Sequence, residues 1–193
     1  MHKSNQPPPT VLILAAGRGE RFAASGARVH KLDALLAGQR VLDHVLAAVR
    51  QSGLPHHVVR AADVQVPDGS SVSGMGDSIA AGVRATSGAA GWMILPGDLP
   101  LIQAQTLRAI AGAPPCVVLI PRYQGQRGHP VRFAASCGPE LLKLQGNDGA
   151  APVVRAQAAL DLIATLDLDD AGIITDIDTL DDLKCAEALL QQR

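Results

Sequence analysis

Val11–Ala15 is an apolar run only five residues long, and it breaks into glycine: the stretch reads VLILAAGRGERF. A run this short predicts a buried strand, and no apolar run in the chain approaches the roughly 20 residues that span a bilayer. Similar short runs at Val58–Ala61, Trp92–Leu95, Val117–Ile120, Val131–Phe133 and Ile173–Ile177 read as further strands. Between them lie segments of helical period. Val41, Leu42, Val45, Leu46 and Val49 recur at three- and four-residue spacing, an amphipathic helix that Gly53 and Pro55 end. Leu141–Leu144 and Val153–Leu160 also read as helical, and Thr179 with the aspartates after it predicts a capped start for a helix through Leu183–Leu190. Alternation of this kind specifies an α/β sheet with crossover helices.

At 193 residues the chain is the size of one domain, expected over 10–193 after a polar, proline-rich tail (residues 1–9) expected to be disordered. With 17 Lys+Arg against 18 Asp+Glu there is no global basic field for nucleic acid or an anionic membrane, and 2% aromatic residues leave little to stack bases on. Any anion must therefore be bound locally. Cys116, Cys137 and Cys185 are odd in number, far apart and free of CxxC pairing, which argues against a disulfide scaffold or a zinc ribbon and predicts a cytoplasmic protein. His56 and His57 would point to opposite sides of a strand, so they cannot jointly hold a metal.

Open α/β sheets bind ligands at the carboxyl ends of their strands, which is where the glycine loop falls. Gly17 and Gly19 let main-chain N–H groups approach an anion closely, and Arg18 and Arg21 can add planar phosphate contacts. The loop is neither of two better-known phosphate binders. Phe22 stands where the dinucleotide fingerprint needs its third glycine, and GxxxxGK followed by Ser or Thr occurs nowhere. At the end of the third apolar run, Pro96, Gly97 and Asp98 turn the chain, so Asp98 sits at a strand's carboxyl end. A rigid aspartate there suits magnesium, which binds through one or two carboxylates plus substrate phosphates.

Leu14-Ala15-Ala16-Gly17 through Arg21-Phe22, with Lys31 ten residues beyond Arg21, resembles the opening motif of the nucleotidyltransferases, roughly LAAGxGxRF followed by lysine. Leu95-Pro96-Gly97-Asp98-Leu99-Pro100 is similar to their LGDxP motif, and Asp176-Ile177-Asp178-Thr179 to the DIDTPEDL segment that closes the domain. Gly74-Met75-Gly76-Asp77-Ser78-Ile79, Arg127-Gly128-His129-Pro130-Val131 and Asn147-Asp148-Gly149-Ala150 resemble GMSxSL, RGHPV and GDxGAR of the molybdenum cofactor cytidylyltransferases, the MobA-like branch. Two letters depart from the pattern: Ala151 replaces the arginine of GDxGAR, and Leu180 stands where proline is usual.

The resemblance implies a Rossmann-like three-layer α/β/α sandwich with a mostly parallel central sheet, of the nucleotide-diphospho-sugar transferase type. It implies that Lys31, Arg21 and Asp98 are catalytic, and that Leu14, Ala15, Ala16, Gly17, Arg18, Gly19, Lys31, Ser78, Pro96 and Gly97 bind nucleotide. Arg127, Gly128, His129 and Asp148 would face the acceptor, and Asp98 with Asp178 would hold Mg2+. Strand alternation leaves Asp176 open as the second ligand in place of Asp178, since the two would share a side. LAAG rather than LAGG favours CTP over GTP, and the acceptor implied is a molybdopterin-type cofactor, with a molybdoenzyme as recipient of the product; the alternatives are a guanylyltransferase of the same fold acting on molybdenum cofactor or a phospho-acid, and a non-catalytic nucleotide- or cofactor-binding delivery protein.

Overall fold

A computed structural model describes residues 7–64 and 74–192. Its nine strands and seven α-helices follow in chain order β1 (Thr10–Ala15), α1 (Glu20–Ala24), β2 (Leu35–Leu36), β3 (Gln39–Arg40), α2 (Val41–Ser52), β4 (His56–Arg60), α3 (Met75–Ala85), β5 (Gly91–Pro96), α4 (Ala104–Gly112), β6 (Val118–Tyr123), β7 (Gln126–Arg127), β8 (Val131–Ala134), α5 (Gly138–Leu141), α6 (Ala151–Ala159), β9 (Ile163–Asp167) and α7 (Leu180–Gln191). Among the described residues seven strands form one sheet in the order β4-β1-β5-β8-β6-β7, with β9 also on β6. Pairing is parallel at β1–β4, β1–β5 and β6–β9, and antiparallel where β8 and β7 meet their neighbours. The sheet is therefore mostly parallel, as expected.

Alternation along β1 produces the three layers. Val11 and Ile13 pack with Val45 and Val49 of α2 and Leu107 and Ile110 of α4, whereas Leu12 packs with Ile79 and Val83 of α3 and, farther along, Leu141 and Val153. A strand buried on both faces reads as a continuous apolar run, which is what VLILA is. Because α2 returns to β4 across one face and α3 returns to β5 across the other, the chain reverses its direction of travel at β1. Crevices open at such a reversal, beyond the carboxyl ends of the strands.

Several expectations need correcting. Ile173–Ile177 is not a strand: Ala171–Ile173 is one turn of 3-10 helix and the chain runs on without regular structure to Thr179. Asp170 causes this, since its buried carboxylate accepts from the Gly172 N–H at 2.9 Å, from the Gln103 N–H at 3.2 Å and from the Thr106 hydroxyl at 2.7 Å, bending the segment onto the start of α4. The strand in that region is β9, whose IATLD is half exposed and lacks a strong apolar pattern. Leu141–Leu144 is helical only through α5, and α6 stops at Ala159. Thr179 does cap α7, its hydroxyl accepting from the Asp182 N–H at 3.2 Å. Of the expected tail, 7–9 lack regular structure and 1–6 lie outside the described residues.

The three cysteines are free thiols. No helix among the described residues is long and apolar enough to cross a membrane.

Candidate active site

β1 and β5 end side by side, and a single close approach joins their loops. The Gly97 N–H donates to the Leu14 carbonyl at 2.9 Å, and a Cβ on Gly97 would lie 2.8 Å from that oxygen, so this turn admits only glycine without displacing the β1 end. Beyond it, the main-chain carbonyl of Asp98 accepts from the Ile177 N–H at 3.0 Å, which brings the segment before α7 alongside. Asp98 and Asp178, 80 residues apart in sequence, thereby share one place.

Lys31 stands between them. Its Nζ lies 2.5 Å from Asp98 Oδ2 and 3.1 Å from Asp178 Oδ1, while Arg21 reaches Asp178 Oδ2 at 2.7 Å. The Lys31, Asp98 and Asp178 side chains are 14%, 14% and 16% exposed, against 78% for Arg21, so the lysine pairs dominate and the arginine pair is worth roughly 1 kcal/mol at most. Burial by itself pushes the Lys31 pKa down, but the Asp98 charge and the hydrogen bonds to Asp98 and Asp178 outweigh it, so the ammonium is held above its ordinary value. Lys31 is thus cationic at any physiological pH.

The glycine loop closes the opposite wall. Gly19 is left-handed at φ 66° and precedes α1; a Cβ there would come 3.3 Å from Lys31 Cγ and 3.4 Å from His30 Nε2. Around Gly17 a Cβ would meet nothing within 4 Å, which is the open space an anion needs. Phe22 is buried, serving as packing under the loop rather than as a ligand contact.

Two cavities meet at the charged cluster. One, about 490 Å³, is lined by Leu14, Ala16, Gly17, Arg18 and Gly19, by Ser78, Pro96 and Gly97, and by Gly74, Met75 and Asn147. The other, about 310 Å³, is lined by Gln126, Arg127, His129, Ile174 and Asp176. Arg21, Lys31, Met75, Pro96, Asp98 and Asp178 line both. The arrangement is a two-compartment cleft with a lysine and two carboxylates at the boundary.

Lys31, Arg21, Asp98 and Asp178 come together, and the expected nucleotide contacts line the larger cavity except Ala15, which lies in β1 behind it. Arg127 and His129 line the smaller cavity. Gly128 is packed away instead: its N–H donates to the Pro121 carbonyl at 2.8 Å, and a Cβ there would lie 2.6 Å from the Ile173 carbonyl oxygen. Asp148 lines neither cavity; its neighbour Asn147 lines the larger one. Asp176 and Asp178 divide, with Asp178 at the boundary and Asp176 only in the smaller cavity, because the strand that would have aligned them does not form. Burial raises the Asp176 pKa, with the nearby Asp178 and Asp98 charges acting in the same direction. His129 is shifted down by burial, partly offset by the charge of Asp98, and its Nδ1 is buried with no hydrogen-bond partner among the described residues.

Met75 and Asn147 escaped the sequence reading as contacts. Gly74 and Gly76 allow them to approach. The Gly76 N–H donates to the Gly146 carbonyl at 2.8 Å, and Asp77 Oδ2 accepts from both the Gly74 N–H at 2.7 Å and the Gly146 N–H at 3.1 Å. The 145–149 loop is thereby clamped on the start of α3.

A divalent cation fits the boundary on the chemistry of its donors. Asp98 Oδ1 is buried and has no hydrogen-bond partner among the described residues, so this carboxylate keeps an unused acceptor beside a cluster whose other carboxylate oxygens hold Lys31 and Arg21. Among the described residues no group of three or more His, Cys, Asp or Glu could hold a metal alone. Two carboxylates with the rest of the shell left to phosphate and water are what magnesium ordinarily accepts.

A family model for the MobA-like NTP transferase domain matches residues 11–161. The purine catabolism protein PucB of Bacillus subtilis is 28% identical over 187 residues, covering 87% of this chain and 90% of that protein. Among solved structures, Rv0371c of Mycobacterium tuberculosis H37Rv is 25% identical with a TM-score of 0.77, covering 95% of this chain and 99% of that one; it has also been solved in complex with manganese. A nucleotidyl transferase from Methanothermobacter thermautotroptrophicus (Mth528) shares the fold at a TM-score of 0.78 and 24% identity, covering 98% and 100%.

Proposed function

The chain belongs to the MobA-like NTP transferase domain family, and from that premise we propose that it transfers CMP from CTP to a molybdopterin-type cofactor, magnesium-dependently, releasing pyrophosphate. The observation that carries this reading is the shared wall: a lysine and two carboxylates stand where two compartments meet, which is where a reacting phosphorus must lie if each compartment takes one substrate.

In the proposed reaction an acceptor phosphate oxygen attacks the α-phosphorus. A new P–O bond forms, the bond to the bridging oxygen breaks, and pyrophosphate leaves with the electron pair. Such an acceptor is already a nucleophile, so the protein's task is positioning and charge neutralisation rather than proton removal. Lys31, kept cationic by its carboxylate partners, would sit against the α-phosphate as charge develops there. The loop from Gly17 to Gly19 with Arg18 and Arg21 would hold the β- and γ-phosphates, and Arg127 with His129 would face the acceptor. Neutral imidazole suits that place, since burial disfavours its cation. A magnesium ion held by Asp98 and Asp178 would offset triphosphate charge at the boundary.

Ala16 supports the choice of base. It lines the larger cavity and gives LAAG where the guanylyl-transferring relatives usually show LAGG. The test is pyrophosphate release by the full chain with molybdopterin-type cofactor, magnesium and each of the four common NTPs. CTP is expected to turn over fastest. A faster rate with GTP replaces the base, and no pyrophosphate with any NTP overturns the reading. Asp98→Asn is expected to fold and to lose turnover.

A further inference from the structure

We propose that His30 is a positioning residue that holds the glycine loop open toward the triphosphate and sets its distance from Lys31. This rests on the nucleotidyl-transfer reading of the cleft.

His30 immediately precedes Lys31 and caps the single 3-10 turn Lys31–Asp33, its Nδ1 accepting from the Leu32 N–H at 3.2 Å. An N–H can only donate, so Nδ1 must carry the lone pair, and the neutral ring then has its proton on Nε2. Nε2 lies 2.8 Å from the carbonyl oxygen of Gly17, thirteen residues earlier, which can only accept. Two partners of opposite character therefore determine one tautomer, and one ring spans the gap between the glycine loop and the turn that carries Lys31.

Such a tie is needed because the loop cannot orient itself. Gly17 has no side chain and a Cβ there would meet nothing within 4 Å, so side-chain packing does not set the orientation of the peptide after it. In one orientation its carbonyl oxygen, a partial negative charge, would face the space that has to admit phosphates. His30 does not line that cavity. With the oxygen bonded to His30, the negative end of the peptide dipole is turned out of the cavity. Gly19 leaves room for the join, since a Cβ there would lie 3.3 Å from Lys31 Cγ and 3.4 Å from His30 Nε2. The opposite end of Lys31 is held by Asp98 and Asp178, so the imidazole fixes the remaining degree of freedom, the loop-to-lysine spacing.

The two roles of the ring can be separated chemically. An asparagine oxygen reaches the Nδ1 position and an asparagine amide cannot reach the Nε2 position, whereas a glutamine amide does the reverse. His30→Asn therefore keeps the cap and loses the tie; His30→Gln keeps the tie and loses the cap; His30→Ala loses both. Magnesium CTP is titrated calorimetrically into the full chain and the three variants, with thermal midpoints recorded alongside. His30→Asn is expected to bind about tenfold more weakly than wild type at an unchanged midpoint, equal to about 1.4 kcal/mol. His30→Gln is expected to recover most of that loss relative to His30→Ala even though its turn is less stable. In turnover assays the loss should fall on KM for CTP more than on kcat, because Lys31 keeps its own carboxylate partners.

Equal affinity in His30→Asn and wild type overturns the proposal, as does His30→Gln binding no better than His30→Ala. The second comparison decides alone if His30→Asn does not fold. Should wild type bind only magnesium GTP, the same series is run with it and judged alike. If wild type binds neither nucleotide, the nucleotidyl-transfer reading falls and takes this proposal with it; if wild type binds and the variants match it, only this proposal falls.

Discussion

Lys31 Nζ stands between Asp98 and Asp178, so a divalent cation held by these two carboxylates, as proposed, would compete with the ammonium for them. Lys31→Met should therefore act in two opposite directions. Turnover is expected to fall about 10²- to 10³-fold, the usual loss for one charge-stabilising donor at a transition state. Without nucleotide, the same variant should bind Mn2+ more tightly than wild type by electron paramagnetic resonance titration; unchanged affinity would mean that the lysine does not block the site. His129 makes a second prediction through its buried, downshifted imidazole. Between the ordinary value near 6.5 and the lower folded value, the unfolded chain binds a proton that the folded chain does not. Stability from this source is therefore complete above about pH 6.5 and declines as pH falls below it. His129→Gln should lose less stability than wild type between pH 7.5 and 5.5, measured as the shift in urea midpoint. At this scale Lys31 and Asp98 were legible because their motifs are local strings, whereas the string DID left Asp176 and Asp178 equivalent. His30 was not, since its role depends on a carbonyl thirteen residues away, and a histidine beside a lysine carries no pattern of its own.

Between elements, what matters is the clamp of the 145–149 loop on the start of α3. A Cβ on Gly74 would sit 2.0 Å from the Gly146 carbonyl oxygen and 2.8 Å from the Asn147 nitrogen, both main-chain atoms with no flexible end to yield. Gly74→Ala should cost about 1–3 kcal/mol, a fall of a few degrees in melting temperature for a chain of this length. It should also raise KM for nucleotide, because Met75 and Asn147 line the cavity from either side of this junction. A variant as stable as wild type with unchanged KM would show the clamp to be slack. The string GMGDSI resembles GMSxSL by its letters, but its contact lies some 70 residues downstream, where hydrophobic period has no signal to offer. The same limit explains Ile173–Ile177: residues that read as a strand follow a 3-10 turn held by Asp170, whose carboxylate accepts from N–H and hydroxyl donors at the start of α4.

Across the whole molecule, the sheet sets the cleft by bringing β1 and β5 side by side with helices leaving to opposite faces. Ligand binding should then stabilise the entire fold. At a hundred times its dissociation constant, magnesium CTP is expected to add about 2.7 kcal/mol, a rise of roughly 5–10 °C in thermal midpoint. CTP with a chelator should give a smaller rise, because triphosphate charge then faces Asp98 and Asp178 without a divalent ion; equal shifts with and without magnesium would count against those two as its ligands.

The amino-acid string by itself determined which segments are strand or helix where both faces are buried, as in VLILA, and it marked the ends of β1 and β5 with glycine and aspartate. Those features are local, set by apolar period and by the few residues that permit a tight turn. Only the tertiary structure decided that Asp178 rather than Asp176 joins Lys31, that Asn147 rather than Asp148 faces the larger cavity, and that His30 ties the glycine loop to the lysine turn. Each of these turns on where a side chain points after distant segments have packed, and a one-residue change of direction alters the partner without altering the motif.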